Sequence, residues 1–316
     1  MTPDTGPEPG QAPSTPADPA RASADGRPAS PAPFMVTKEH RRFAEFADAV
    51  RRDRYIGLCY GAPGVGKTLS ARHYAGWDTV EPYLRTFTLM ESVPAPGQAL
   101  ASRSIIYTPA VANTPRTVDK GVTFYHTRLS WGIGLTLYPG EDLDARAGIG
   151  DANGPFAELL IIDEADRLKT PALEQLRDHH DRTGIGLILI GMPGIEKRLA
   201  RYPQLYSRVG FVHHYRPLSA QEQALVLARH WPGLGLGDTS DFTTSEAAAA
   251  ITRITTGNFR LTCRLVGQIQ RALDINHLSA SPRKSSRQHA NRSSSASCDV
   301  LSWPPPSESA SDVPAT

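Results

Sequence analysis

Cysteine is scarce in this chain of 316 residues: Cys59, Cys263 and Cys298 lie far apart and make no Cys-x-x-Cys or Cys/His pattern. That excludes a disulfide framework and a zinc site, and Cys59 reads as filler of a buried strand. Long apolar runs are also lacking, and none approaches the roughly 20 residues that span a bilayer. The amino terminus has no basic stretch followed by an apolar segment, so a soluble cytoplasmic protein without membrane contact is expected. Excess charge is absent too: 34 Lys and Arg against 32 Asp and Glu leave a formal charge of +2. Any nucleic-acid surface must therefore come from local clustering of basic residues. No internal repeat is visible.

Residues 1–33 hold almost no large apolar side chains and are dominated by Pro, Ala, Ser, Asp and Gly. Burial cannot offset the entropy of ordering such a segment, so a disordered tail is expected. From Thr37 the pattern changes: Thr37 suits an N-cap, and Phe43, Phe46, Ala47 and Val50 recur at helical spacing behind it. Short apolar runs at 55–60, 104–108, 158–162, 186–190 and 211–215 predict strands of a parallel sheet covered on both faces. Helical patterns at 68–74 and 172–182 alternate with them, which makes the fold class α/β. The Gly- and Asp-rich interval 139–155 reads as a surface loop. After Pro217 the pattern is helical throughout, with Ser219, Ser245 and Asn258 as caps. A sheet domain over 34–217 and a small helical domain over 218–280 follow. Beyond residue 280 a Ser-rich stretch begins, and two readings stand: a disordered tail over 281–316, or sequence out of frame after a frameshift near residue 281. The gene's nucleotide sequence decides between them.

One stretch carries chemistry on its face. "GAPGVGKT" has the spacing Gly61-x-x-x-x-Gly66-Lys67-Thr68 and lies between a predicted strand and a predicted helix, the context of a phosphate-binding loop. Gly61, Ala62, Pro63, Gly64, Val65, Gly66, Lys67, Thr68 and Leu69 would wrap a nucleoside triphosphate. The glycines let backbone N–H groups curl around the phosphates, Lys67 reaches the β and γ oxygens, and the Thr68 hydroxyl ligates Mg²⁺. "LLIIDEAD" supplies the complement, a buried strand that delivers Asp163 and Glu164 at its carboxyl end. Asp163 would orient the Mg²⁺ shell and Glu164 would act as base toward the attacking water. ATP and Mg²⁺ are the cofactors expected.

From about Thr37 to Leu278 these residues resemble the AAA+ ATPases, which implies a P-loop NTPase parallel-sheet core followed by an all-α lid. In that family a third strand carries a polar residue that senses the γ-phosphate. The matching stretch "LILIGMPG" ends in Gly191-Met192-Pro193, and neither Gly191 nor Met192 offers a strong hydrogen-bonding side chain, which implies slow hydrolysis. Arg208 in "YPQLYSRVGF" resembles the arginine finger that reaches a neighbouring subunit's nucleotide, a charge worth about 10³ to 10⁵ in rate. Arg201 is the second candidate for that role. Arg260 in "TTGNFRL" resembles the second sensor. The alternative for each is a surface arginine in an ion pair. A finger acting in trans implies a homo-oligomer, ring or filament, assembled with ATP.

Longer strings narrow the resemblance: "TKEHRRFAEFADAVRRDRYIGLCYGAPGVGKTLSAR", "YTPAVANTPRT", "LLIIDEADRLK" and "GIGLILIGMPGIEKRLARYPQLYSRVGF" together are similar to the bacterial transposition ATPases of the TniB and MuB kind. That resemblance implies assembly on double-stranded DNA and recruitment or activation of a DDE transposase. A DNA surface has candidates before the acidic motif: Arg116, Lys120, His126 and Arg128, with Tyr125 and Trp131 among them for stacking, and Lys169 with Thr170 after it. The alternative for 116–131 is a solvated loop packed by its aromatics. His179-His180 and His213-His214 lack metal-ligand spacing and read as surface or satisfied histidines. Two further functions stay open: another AAA+ ATPase, helicase-loader-like or secretion-associated, and a non-hydrolysing nucleotide-dependent scaffold.

Overall fold

The computed structural model describes residues 34–86, 93–139, 156–234 and 242–276. The expectations for 1–33, for nearly all of 139–155 and for 281–316 lie outside the described residues. In chain order the elements are α1 (Lys38–Asp53), β1 (Ile56–Tyr60), α2 (Lys67–Ala75), α3 (Trp77–Thr86), α4 (Gly97–Ser102), β2 (Ser104–Tyr107), α5 (Pro115–Leu137) and β3 (Leu159–Ile162). After a 3-10 turn at Ala165–Arg167 come α6 (Thr170–Thr183), β4 (Gly186–Gly191), α7 (Ile195–Leu199), α8 (Pro203–Tyr206) and β5 (Val209–His214). The helices α9 (Ala220–His230), α10 (Phe242–Thr255) and α11 (Phe259–Ile275) complete it.

The five strands form one parallel sheet in the order β2-β3-β4-β1-β5. Burial follows from that order. The central strands β3 and β4 are buried at every position, whereas the edge strand β5 alternates half-buried and exposed residues, as a strand with one open face must. On α1, Thr37 caps as expected, its hydroxyl accepting from the His40 N–H at 3.1 Å, and Phe43, Ala47 and Val50 are buried. Buried apolar residues gather into two clusters, a large one on the sheet and a small one made by Leu218, Val226, Leu227, Trp231, Leu234, Ile251, Cys263 and Val266. Cys59 is a fully buried strand residue. No described helix is long and apolar enough to cross a membrane.

Two expectations need correction. Residues 115–137 are a helix of 23 residues, not a loop, opened by a reciprocal cap between Thr114 and Thr117 with Pro115 in the first turn. Its glycines hide it from a propensity reading, yet they have packing reasons: a Cβ at Gly121 would collide with the Tyr107 ring, and one at Gly132 with the Tyr83 hydroxyl. The second correction is at α10, which begins at Phe242, so Ser245 lies inside the helix and not at its cap.

Candidate nucleotide site

Parallel register decides which residues meet. Tyr60 pairs with Gly191 and Ile162 with Leu189, so β1, β3 and β4 end side by side. They present Gly61, Asp163 and Met192 at the carboxyl edge of the sheet, where open α/β sheets take ligands.

The β1 wall is made of backbone. Gly64 and Gly66 sit at φ +81° and +115°, conformations that residues with a Cβ seldom adopt. They turn the chain so that Gly66 becomes the N-cap of α2, with no side chain capping that helix. The first N–H groups of α2 are thereby left to an anion. Gly61 packs directly on the Tyr215 carbonyl, where a Cβ would collide, and the Tyr215 hydroxyl bonds Ser70 Oγ at 2.7 Å. Lys67 Nζ donates to the carbonyls of Gly61 and Ala62 at 2.7 and 2.9 Å. Burial lowers its pKa, against the pull of the carboxylates of Asp163, Asp166 and Glu164.

The small helical cluster closes onto this loop. Asn258 caps α11 through the Leu261 N–H at 3.2 Å and donates from Nδ2 to the Pro63 carbonyl at 2.8 Å. The Arg260 N–H donates to the Gly64 carbonyl at 3.0 Å, which sets Arg260 against the phosphate loop with an exposed side chain. Sequence reasoning gave Asn258 the cap alone.

The β3 wall is made of side chains. Asp163 is buried, and burial raises its pKa while the Thr68 hydroxyl opposes the rise. A buried carboxylate beside a hydroxyl offers two oxygen ligands to a divalent cation. No group of three or more His, Cys, Asp or Glu side chains gathers among the described residues. Thr68 and Asp163 alone would thus hold the ion, with phosphate and water oxygens completing the shell, as Mg²⁺ usually has it. Glu164 follows with a left-handed backbone at φ 55° and ψ 42°. Its carboxylate, 53% exposed, stands 3.4 Å from the Arg167 guanidinium. Beneath it Arg198 donates to the carbonyls of Asp166, Leu168 and Ala165 at 2.9, 2.7 and 3.3 Å. Asp166 Oδ2 accepts from the Met192 N–H at 2.6 Å. Neither Arg167 nor Arg198 was legible as a site residue, since no motif spacing links Arg198 to the turn it braces.

Other candidates are scattered. Arg208 donates from Nε to Asp181 Oδ1 at 2.7 Å and also bonds the Gln204 carbonyl, so within one chain it occupies an ion pair. Arg201 is exposed. Arg116, Lys120 and Lys169 are exposed. Arg128 is turned inward instead, donating to the Leu84 carbonyl at 2.8 Å with its guanidinium 4.1 Å over the Phe124 ring. Tyr125 is half-buried and packs edge-on against Trp77 at 5.3 Å, and His126 is buried, so the His126 ring belongs to the protein interior and that of Tyr125 is packed against it on one side. Of the surface and satisfied readings of His179 and His180 the first is corrected, since both are buried, and His180 meets the second, its Nδ1 lying 2.7 Å from the Ile185 carbonyl.

The chain is similar to known proteins over most of its length and over shorter parts of it. The model of the AAA domain matches residues 50–199. A Staphylococcus aureus protein described as a potential ATP-binding protein is 43% identical over 258 residues, covering 78% of this chain and 90% of that one. A shorter match of 58 residues, also 43% identical, is to the Mu-like prophage FluMu DNA transposition protein B of Haemophilus influenzae, spanning 16% of this chain and 20% of that protein. Among solved structures, a Thermotoga maritima RuvB variant is 16% identical at a TM-score of 0.45, over 78% of this chain and 65% of its own.

Proposed function

This chain belongs to the AAA-domain family, with a P-loop α/β core and helices after it, and from that premise we propose that it is an ATP-dependent DNA-binding regulator of transposition. In this reading it binds ATP with Mg²⁺, hydrolyses it, assembles with further copies on duplex DNA and recruits or activates a DDE transposase. One observation carries the nucleotide half: the uncapped turn Gly64–Gly66 and the buried Asp163 lie at the ends of neighbouring parts of one sheet, a backbone anion site beside a cation site. The transposition half rests on the short match to the prophage protein and on the exposed Arg116, Lys120 and Lys169.

The residues then act as follows. N–H groups from Gly64 to Leu69 cradle the phosphates. Lys67 leaves the carbonyls of Gly61 and Ala62 for the β and γ oxygens, so binding replaces two contacts with neutral acceptors by contacts in which both partners are charged. Mg²⁺, when bound, would supply charge neutralisation at the phosphate oxygens, and Thr68 and Asp163 would hold it. Glu164 takes the proton of the attacking water. Arg260 reaches the phosphates from the lid, and Arg208 of an adjoining copy completes the site once it releases Asp181. Arg116, Lys120 and Lys169 contact DNA phosphates, which gives weak sequence preference and strong salt dependence; Arg128 leaves this set.

Titration calorimetry with ATP and Mg²⁺, followed by phosphate release with and without duplex DNA, tests the proposal. Binding heat, hydrolysis raised by DNA, and a rate lowered at least tenfold by Glu164→Gln are expected. Absence of binding heat ends the nucleotide reading, and DNA-independent hydrolysis ends the DNA reading. A second reading, the non-hydrolysing scaffold, is favoured by Met192, whose side chain offers only a weak acceptor and whose N–H is already committed to Asp166. Binding without measurable phosphate release supports it.

A further inference from the structure

The last helix carries a charge pattern that the nucleotide site does not use. On α11, Cys263 and Val266 are buried in the small core, whereas Arg260, Arg264 and Arg271 are exposed. At 3.6 residues per turn, Arg264 and Arg271 stand about 40° and 20° round the helix from Arg260, so the three arginines form one row. Arg260 begins that row at the phosphate loop, where its N–H donates to the Gly64 carbonyl. The other two continue it outward, about 10 Å apart along the axis.

Among the described residues nothing neutralises the outer part of the row. Neither Arg264 nor Arg271 forms an ion pair there, and the one acid of the helix, Asp274, accepts from Gln270 Nε2 at 3.0 Å. Single arginines are ordinary on a surface, so a second observation decides. Gly267 lies between Arg264 and Arg271 in the chain and about 20° from Arg260 on the other side of the row. A glycine weakens a helix interior, and in α5 the neighbours of Gly121 and Gly132 explain why one is there. At Gly267 a Cβ would meet nothing within 4 Å. Packing within the chain therefore does not account for it, and it stands at the point of this face where a partner's backbone can approach most closely.

We propose that this face of α11 is a second contact for duplex DNA, with Arg264 and Arg271 on phosphates at the two sides of a major groove and Gly267 over the groove between them. A groove about 12 Å wide matches the separation of the two arginines, and a guanidinium fork suits phosphate oxygens. An acidic protein segment is the weaker fit, because between the arginines this face offers no apolar side chain to bury against, only Gly267. The inference rests on the reading of the chain as a DNA binder. To Arg116, Lys120 and Lys169 it adds a contact on the lid, so that one duplex is held by both parts of the chain.

The test is fluorescence anisotropy of a short random-sequence duplex with the full chain over a range of salt concentrations. Each phosphate contact contributes about −0.9 to the slope of log K against log salt. Arg264→Gln together with Arg271→Gln should therefore flatten the slope by about 1.8 and weaken binding about sixtyfold at about 0.1 M salt, whatever the sequence. Lysine at both positions keeps the charges and should keep the slope. Gly267→Ala should raise the urea midpoint, since alanine favours the helix, and yet weaken DNA binding; a glycine with a merely structural role would not move the two in opposite directions. If the double glutamine variant keeps slope and affinity while Arg116→Gln with Lys120→Gln lowers both, the lid face takes no part and the proposal falls. It falls also if the double variant binds DNA as before but self-associates less in sedimentation, which would make the row an interface between copies. If the unsubstituted chain does not bind the duplex at all, the DNA reading fails first.

Discussion

The two walls of the site are held in opposite ways. The phosphate loop after β1 is fixed by its own backbone: two left-handed glycines, a glycine against the Tyr215 carbonyl, and carbonyls that hold Lys67. The acidic turn after β3 is fixed by side chains from elsewhere, Arg198 from α7, Arg167 from within the turn and Asp166 reaching across to β4. Backbone geometry of the first kind is rigid because few alternatives exist for it. Side-chain bracing of the second kind has two arrangements whenever its partners have two, so motion belongs to the acidic wall.

The contrast breaks most visibly if each wall is damaged alone. In Gly61→Ala the new methyl meets backbone, which cannot swing aside, and overpacking of that kind costs about 1–3 kcal/mol. The loss should fall on ATP binding, more than tenfold by calorimetry, with whatever is bound still hydrolysed. Arg198→Ala takes its donor from the Asp166 and Leu168 carbonyls and leaves that of Ala165 with the Leu168 N–H alone, and orphaned acceptors cost about 1–3 kcal/mol. Here ATP affinity should hold while the hydrolysis rate falls at least tenfold. Equal losses of affinity in the two variants would show that the walls are one unit.

Legibility in the sequence divides along the same line. The parallel sheet, the phosphate loop, Asp163 and Glu164 at a strand end, and the caps Thr37, Ser219 and Asn258 all depend on contiguous residues, and each is where the chain pattern places it. Helix α5 was not legible because Gly121, Gly132 and Gly134 depress its propensity, and only Tyr107 and Tyr83, distant in sequence, explain two of them. Arg198 and Arg167 were invisible for the same reason: a guanidinium on a carbonyl leaves no spacing to read. The inward turn of Arg128 depended on where α3 ends.

Acid sharpens the comparison from the side of the core. His126 and His179 face each other between α5 and α6 with ring centres 5.3 Å apart, and His40 lies on α1; burial pushes each down to about 4. The unfolded chain takes up these protons near pH 6.5, so their contribution is intact above that value and is lost as pH falls from 6.5 toward 4. By pH 5 the loss should be about 1–2 kcal/mol per ring, read as a falling urea midpoint. Because α5 carries both His126 and two of the DNA candidates, Arg116 and Lys120, while the phosphate loop carries none of the three histidines, DNA affinity should weaken before ATP affinity does. A midpoint flat between pH 7.5 and 5 would mean that these rings take up protons in the fold as readily as in the unfolded chain.

The smallest effect concerns a contact that is half legible. Ser219-x-x-Glu222 reads as a capping box, and the box forms, with Glu222 Oε2 accepting from the Ser219 N–H at 3.0 Å and from its hydroxyl at 2.8 Å. The other oxygen does what no spacing announces: Oε1 accepts the Lys38 N–H at 2.8 Å, so one carboxylate joins the first turn of the lid to the first turn of α1. Burial works against its charge, yet the hydrogen bonds from Ser219 and Lys38 hold its pKa below the ordinary value. Glu222→Ala removes both halves and should cost about 1 kcal/mol, as the loss of a cap does. Glu222→Gln keeps the box and can offer only one carbonyl oxygen to both sides, so it separates them. If it restores the urea midpoint but not the amide protection at Lys38, the helix needs only the local half of the contact, and the bridge between lid and core rests on the half that sequence reasoning misses.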